Sequence, residues 1–254
     1  MTFRNPILDS WTQGATTHGI WCSVASSFTA EIVASAGYDY ACVDLQHGAV
    51  DYSSMLPMLQ AIKLHNVTPI VRVSWCEKWM IMQALDAGAF GVIVPMIDTA
   101  EDAAEAASAC RYPPVGHRSF GPTRVSIANG TADPDELGRV ACIPMIETEQ
   151  GMKNLDEIAA TRGVDALYIG PGDLALSMGL PPRPAQPIPE HEAAIEQIRE
   201  ACADSGIASG IHCASGAEAR RRRQQGFTMV TVGNDSALLR KAAADALETA
   251  STDT

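Results

Sequence analysis

Short apolar runs rich in β-branched residues alternate along the chain with longer, Ala-rich stretches whose apolar positions recur every three or four residues. The first kind predicts strands over 18–24, 40–46, 68–74, 91–96, 141–147, 166–170, 207–213 and 227–233. The second predicts helices over 28–36, 54–64, 77–86, 99–109, 151–160, 190–205, 215–225 and 235–247. Runs such as GVIVPM and ALYIG lack strict alternation, as parallel strands covered on both faces do. Thr99 with Asp102 fits a capping box, and Gly37, Gly88, Gly206 and Gly226 each close a helix just before a strand. Eight such units in 254 residues predict an α/β fold, a (β/α)₈ TIM barrel in one domain over 1–254, with an open doubly wound sheet as the alternative. Two Pro- and Gly-rich stretches, 111–129 and 178–189, interrupt the rhythm. The first, carrying His117, Arg118 and Arg124, reads as a functional loop; the second reads as a packing or interface segment.

Composition narrows the partners. Lys and Arg number 18 against 30 Asp and Glu, a formal net charge of −12, which opposes a nucleic-acid role. The single basic run, 220–223, reads as a solvated helix face. No stretch approaches the roughly 20 apolar residues of a membrane helix, and the start MTFRNPILDSW lacks a signal peptide's apolar region, so the cytoplasm is the expected compartment. The seven cysteines are scattered, without metal or disulfide-exchange spacing, and read as reduced thiols filling apolar space. Cys22 and Cys213, near strand ends, are candidate site thiols that nothing marks as activated.

In a barrel, chemistry sits where strands end, and polar residues recur there at intervals of one βα unit. Trp21 to His47 is 26 residues, His47 to Arg72 is 25, and Glu147 to Asp173 is 26. Glu147 and Asp173, on adjacent strands, would repel unless a cation or a proton lay between them. Oxygen ligands alone favour a hard divalent ion such as Mg²⁺ or Mn²⁺; for Asp173 the plainer alternative is a helix N-cap. His47 closes VDLQHG three residues after Asp44, a carboxylate placed to orient the imidazole as a general base. Arg72, inside an apolar strand, must meet an anion or a developing oxyanion, with a salt bridge to Asp44 or Glu147 as the alternative. The turn of Gly170, Pro171, Gly172 and Asp173 offers backbone N–H groups to an anion such as a carboxylate. Asp86 lies at the wrong end of its unit for catalysis and suits a subunit contact or a cap.

Together the segments GYDYACVDLQHG, PIVRV, LDAGAFGVIVPM, RYPPVGHRSFG, IETEQGMKNLDEI and GVDALYIGPGDLALSMG resemble the HpcH/HpaI family of class II, metal-dependent pyruvate aldolases. The resemblance runs from about residue 20 to residue 239. It implies a (β/α)₈ barrel, commonly hexameric as a trimer of dimers with its last helix swapped between neighbours. It also implies a divalent ion (Mg²⁺, Mn²⁺ or Co²⁺) on Glu147 and Asp173. By the same resemblance Arg72 contacts the keto oxygen and His47 with Asp44 forms a proton-transfer dyad. Gly170 and Gly172 hold the substrate carboxylate, Trp21 lines the pocket, and Asp86 reaches a neighbouring subunit's site. Three positions depart from the pattern: Gln46, Met145 and His212, the last an imidazole placed to bind a polar group of either substrate.

The expected reaction is reversible cleavage of a 4-hydroxy-2-oxo acid to pyruvate, or a hydroxypyruvate-like donor, and an aldehyde. No lysine falls at a predicted strand end, which argues against Schiff-base chemistry. Oxaloacetate decarboxylation, a citramalyl-CoA-type cleavage and a non-catalytic acid-binding barrel are the rivals.

Overall fold

In the computed structural model, residues 4–182 and 186–252 are described. Eight strands, β1 (Thr17–Cys22), β2 (Tyr40–Asp44), β3 (Thr68–Arg72), β4 (Gly91–Val94), β5 (Ala141–Ile146), β6 (Ala166–Ile169), β7 (Ala208–His212) and β8 (Met229–Asn234), close in sequence order into a parallel barrel. Every predicted strand is present. Most end one or two residues early, because the chain leaves the ladder to form the loops of the C-terminal rim.

The side chains divide as a closed barrel demands. One large apolar cluster, including Val43, Val71, Val92, Ile169 and Ile211, lies between the strands and the surrounding helices. A second, including Tyr40, Ile70, Ile93, Ile143, Tyr168 and Met229, fills the barrel itself. Cys22 and Cys213 belong to the outer layer, and burial raises both thiols, that of Cys213 to about 12. They are packing residues.

Helix boundaries follow local chemistry. The Thr99–Asp102 capping box forms as predicted, and all four helix-closing glycines have positive φ. The helix predicted over 151–160 is broken into Glu149–Lys153 and Leu155–Ala159 at Asn154, whose side-chain amide donates to the Asp98 carbonyl at 2.7 Å. The basic run is not wholly solvated: Arg222 faces inward, 3% exposed, and grips Glu192 with two hydrogen bonds of 2.7 and 2.8 Å. At 100° per residue one of four consecutive helical positions must turn toward the barrel.

Two further features escape the sequence pattern. A helix, Pro6–Thr12, closes the N-terminal mouth of the barrel, with Ile7, Leu8 and Trp11 packed on the interior cluster. Asn5 ties it down by donating to the carbonyls of Phe90 and Arg139. The stretch 111–129 also lies at this end, since it follows the helix Ala100–Cys110 and leads into β5. Part of it is the helix Thr123–Asn129, and its arginines serve as anchors. Arg111 pairs with Asp165 at 2.9 Å and Arg118 with Asp86 at 2.6 Å. The stretch, expected as a functional loop, is an αβ connection on the face opposite a barrel's site. In 178–189, residues 183–185 lie outside the described residues.

Candidate active site

The rim brings Trp21, Asp44, Arg72, Glu147, the Gly170 turn and His212 around one mouth. Asp44 and Arg72 are in register on β2 and β3. Arg72 donates from Nε and Nη2 to the two oxygens of Asp44 at 2.9 and 2.7 Å, and its guanidinium carbon sits 4.2 Å from the centre of the Trp21 ring. Both charged partners are buried, at 6% and 4% exposure. The plainer reading of Arg72, a salt bridge with Asp44, is thus realised, and it leaves Nη1 out of the clamp. A guanidinium held by its edge and its face is fixed in orientation at the mouth, with Nη1 outside the clamp.

The expected Asp44–His47 dyad takes a different form. Asp44 Oδ1 also accepts from the backbone N–H groups of Gln46 and His47, at 3.0 and 3.2 Å. Counting Arg72, Oδ1 accepts from three donors and Oδ2 from one. A carboxylate three residues upstream in a turn meets the backbone rather than the ring. Asp44 therefore fixes the path of the loop that carries His47, whose side chain is exposed.

Glu147 is buried, 2% exposed, and its Oε1 accepts from the Met96 N–H at 2.8 Å. Met96 holds the left-handed conformation, φ 56°, unusual for a side chain of its kind. Gly170 makes room from the other side, because a Cβ there would fall 2.4 Å from Glu147 Oε2. Burial raises the Glu147 carboxyl to about 7, the Met96 N–H opposes that, and the charge of Asp173 adds to it while Arg72 subtracts. Asp173 is exposed and does not cap its helix, whose N-cap is Gly170 with no side-chain hydrogen bond. A buried carboxyl beside the charge of a second, exposed carboxylate is oxygen chemistry that would suit a hard divalent ion completed from outside the protein. No cluster of three or more His, Cys, Asp and Glu that could hold a metal occurs among the described residues.

His212, the last residue of β7, meets the Trp21 ring edge-on at 5.0 Å between centroids. Asp86 is not at this mouth. It ends the helix Lys78–Asp86 on the opposite face, where buried Arg118 holds it. Sequence reading missed Met96, Thr231 and Asp235. Asp235 clamps the loop after β1 by accepting from Ser23 N and Oγ, both at 2.8 Å, and from Val24 N.

Residues 17–242 match the sequence pattern of HpcH/HpaI aldolase/citrate lyase proteins. The chain belongs to that family. A hydroxypyruvate/pyruvate aldolase of Rhizorhabdus wittichii is 38% identical over 240 residues, 94% of this chain and 96% of that protein. A 4-hydroxy-2-oxo-heptane-1,7-dioate aldolase of Escherichia coli is 38% identical over 229 residues, 89% and 87% of the two chains. Among solved structures, an HpcH/HpaI aldolase/citrate lyase family protein from Burkholderia cenocepacia superposes with a TM-score of 0.91 at 33% identity, covering 98% of this chain and all of that one. The family and its named aldolase members support a carbon–carbon lyase, and this chain has the closed eight-stranded barrel.

Proposed function

We propose that this protein is a class II aldolase that reversibly cleaves a 4-hydroxy-2-oxo acid to pyruvate, or a hydroxypyruvate-like donor, and an aldehyde. The arrangement of Arg72 carries the reading: a buried cation, clamped on Asp44 and Trp21 in the field of Glu147, is aimed at a keto oxygen. Glu147 and Asp173 would hold a divalent ion (Mg²⁺, Mn²⁺ or Co²⁺), which when bound supplies Lewis acidity to the 2-oxo oxygen as negative charge develops there. Arg72 donates to the same oxygen as the C3–C4 bond breaks. The turn of Gly170 and Gly172 receives the carboxylate, and Trp21 walls the donor. His47, on the loop pinned by Asp44, takes the proton of the C4 hydroxyl in cleavage and returns it in condensation. His212 reaches a polar group on one of the substrates. No lysine ends a strand among the described residues, which argues against Schiff-base chemistry.

The assembly we propose is a cytoplasmic homo-oligomer, a hexamer built as a trimer of dimers. No helix among the described residues is long and apolar enough to cross a membrane. The helix Asp235–Ser251 is exposed at every position after Asp235, which suits a segment that crosses to a neighbour. Asp86, remote from its own mouth, would contribute to the neighbour's.

Proton exchange tests the chemistry. In D₂O with added Mn²⁺ or Mg²⁺ the protein should place deuterium in the methyl group of pyruvate, and a chelator or Arg72→Ala should stop it. Absence of exchange in the metal-loaded protein overturns the aldolase reading; full exchange after chelation overturns the role of the acids.

A further inference from the structure

Beneath the rim, a buried polar cluster occupies the middle of an otherwise apolar barrel. Thr231 of β8 has no exposed surface, and its Oγ1 lies 2.9 Å from the Tyr40 hydroxyl and 2.5 Å from that of Tyr168. It also accepts from Trp21 Nε1 at 3.1 Å. A threonine hydroxyl has one proton and two lone pairs. Accepting from the indole and from one tyrosine while donating to the other uses all three.

The tyrosines cannot drift. Tyr40 is in register with Gly19 and Tyr168 with Gly210, and each ring lies where a side chain on that glycine would be. A Cβ on Gly19 would fall 2.0 Å from the Tyr40 ring, and one on Gly210 2.6 Å from that of Tyr168. Thr231 is thus held on both sides. Its third contact runs upward to the indole on whose face the Arg72 guanidinium lies. Asp44 fixes the edge of that guanidinium, whereas the Trp21 ring sets its tilt. The ring contacts of Trp21 with Tyr168 and His212 are not directional as a hydrogen bond is, so the Thr231 hydroxyl gives the indole a directional anchor.

We propose that Thr231 is a positioning residue for Arg72, acting through the hydrogen bond that fixes the Trp21 indole. The inference rests on the aldolase reading of Arg72 and adds to it a residue two contacts removed from the substrate.

Thr231→Ser, Thr231→Val, Tyr168→Phe and Trp21→Phe, with the Thr231→Val/Trp21→Phe double variant, separate positioning from packing. Steady-state cleavage should show kcat close to wild type for Thr231→Ser. For Thr231→Val it should fall about tenfold or more, with a smaller change in KM. Tyr168→Phe, which keeps the bond from Thr231 to the indole, should lose stability but little kcat. In the Trp21→Phe background the Thr231→Val change should add almost nothing, because the bond it removes is already gone. With 5-fluorotryptophan in all four tryptophan positions, Thr231→Val should displace the ¹⁹F resonance that Trp21→Phe deletes, and Thr231→Ser should leave it in place. Multiplicative losses in the double variant, an unmoved Trp21 resonance, or a kcat loss in Tyr168→Phe equal to that in Thr231→Val overturns the proposal. Wild-type protein that exchanges no pyruvate protons with metal present overturns the aldolase reading instead. The ¹⁹F comparison still decides whether Thr231 orients the indole, and a resonance unmoved in Thr231→Val overturns the inference by itself.

Discussion

With Arg72 on both its oxygens and two backbone amides on one of them, the Asp44 carboxylate couples the arginine of β3 to the loop bearing His47. A lysine at position 72 could satisfy the charge but not the paired geometry or the stacking on Trp21. Arg72→Lys is therefore expected to lower kcat for cleavage by roughly 10²-fold, with KM for the oxo acid changing far less, as steady-state kinetics would show. Glu147 carries a second expectation. Its carboxyl in the folded, metal-free protein is raised to about 7 from the ordinary value of 4.5. Between those values the native state holds a proton that the unfolded chain releases. Stability from this group is thus full below about pH 4.5 and lost as pH rises through 7, by about 3 kcal/mol. Glu147→Gln should remove that loss, so its advantage in urea unfolding over the metal-free wild type should grow from pH 5 to pH 8.

Elements place these residues with different degrees of legibility. The strand ends carrying Trp21, Arg72, Glu147 and His212 follow from an apolar run interrupted by one polar residue, and they stand where that pattern puts them. The partners of those residues do not follow from it. Asp44 was readable as a neighbour of His47 but meets its backbone, because which donor a turn presents depends on dihedral angles rather than spacing. Met96 donates to Glu147 from a left-handed backbone that no residue type announces. Thr231 meets Tyr40 191 residues away, a contact that exists only once the barrel closes. The Gly170 turn was legible as a possible anion cradle, but its steric duty toward Glu147 was not. Gly170→Ala should push the carboxylate aside and weaken Mn²⁺ binding by roughly tenfold or more, measurable by calorimetry on the metal-free protein. Unchanged affinity would mean that Glu147 is not a ligand.

At the scale of the whole molecule, the helix Asp235–Ser251 stands out, because it presents Leu238, Leu239 and Leu247 at 48%, 63% and 69% exposure. An Ala- and Leu-bearing helix without a partner is a surface for another protein to cover. Leu238→Asp with Leu239→Asp should reduce the mass seen by light scattering if that partner is a second copy, and an unchanged mass would exclude the helix from the assembly. The period of one βα unit made the barrel readable, whereas no periodicity marked the seven residues of Pro6–Thr12 as a plug. That plug governs isotope traffic. With Ile7 seated in the base and apolar side chains filling the interior above it, exchange with solvent is expected through the C-terminal mouth alone. Every deuteron entering a substrate methyl group must arrive through the same mouth by which the aldehyde leaves. Exchange and carbon–carbon cleavage should then compete for one doorway, and an aldehyde bound in it should slow the labelling of pyruvate.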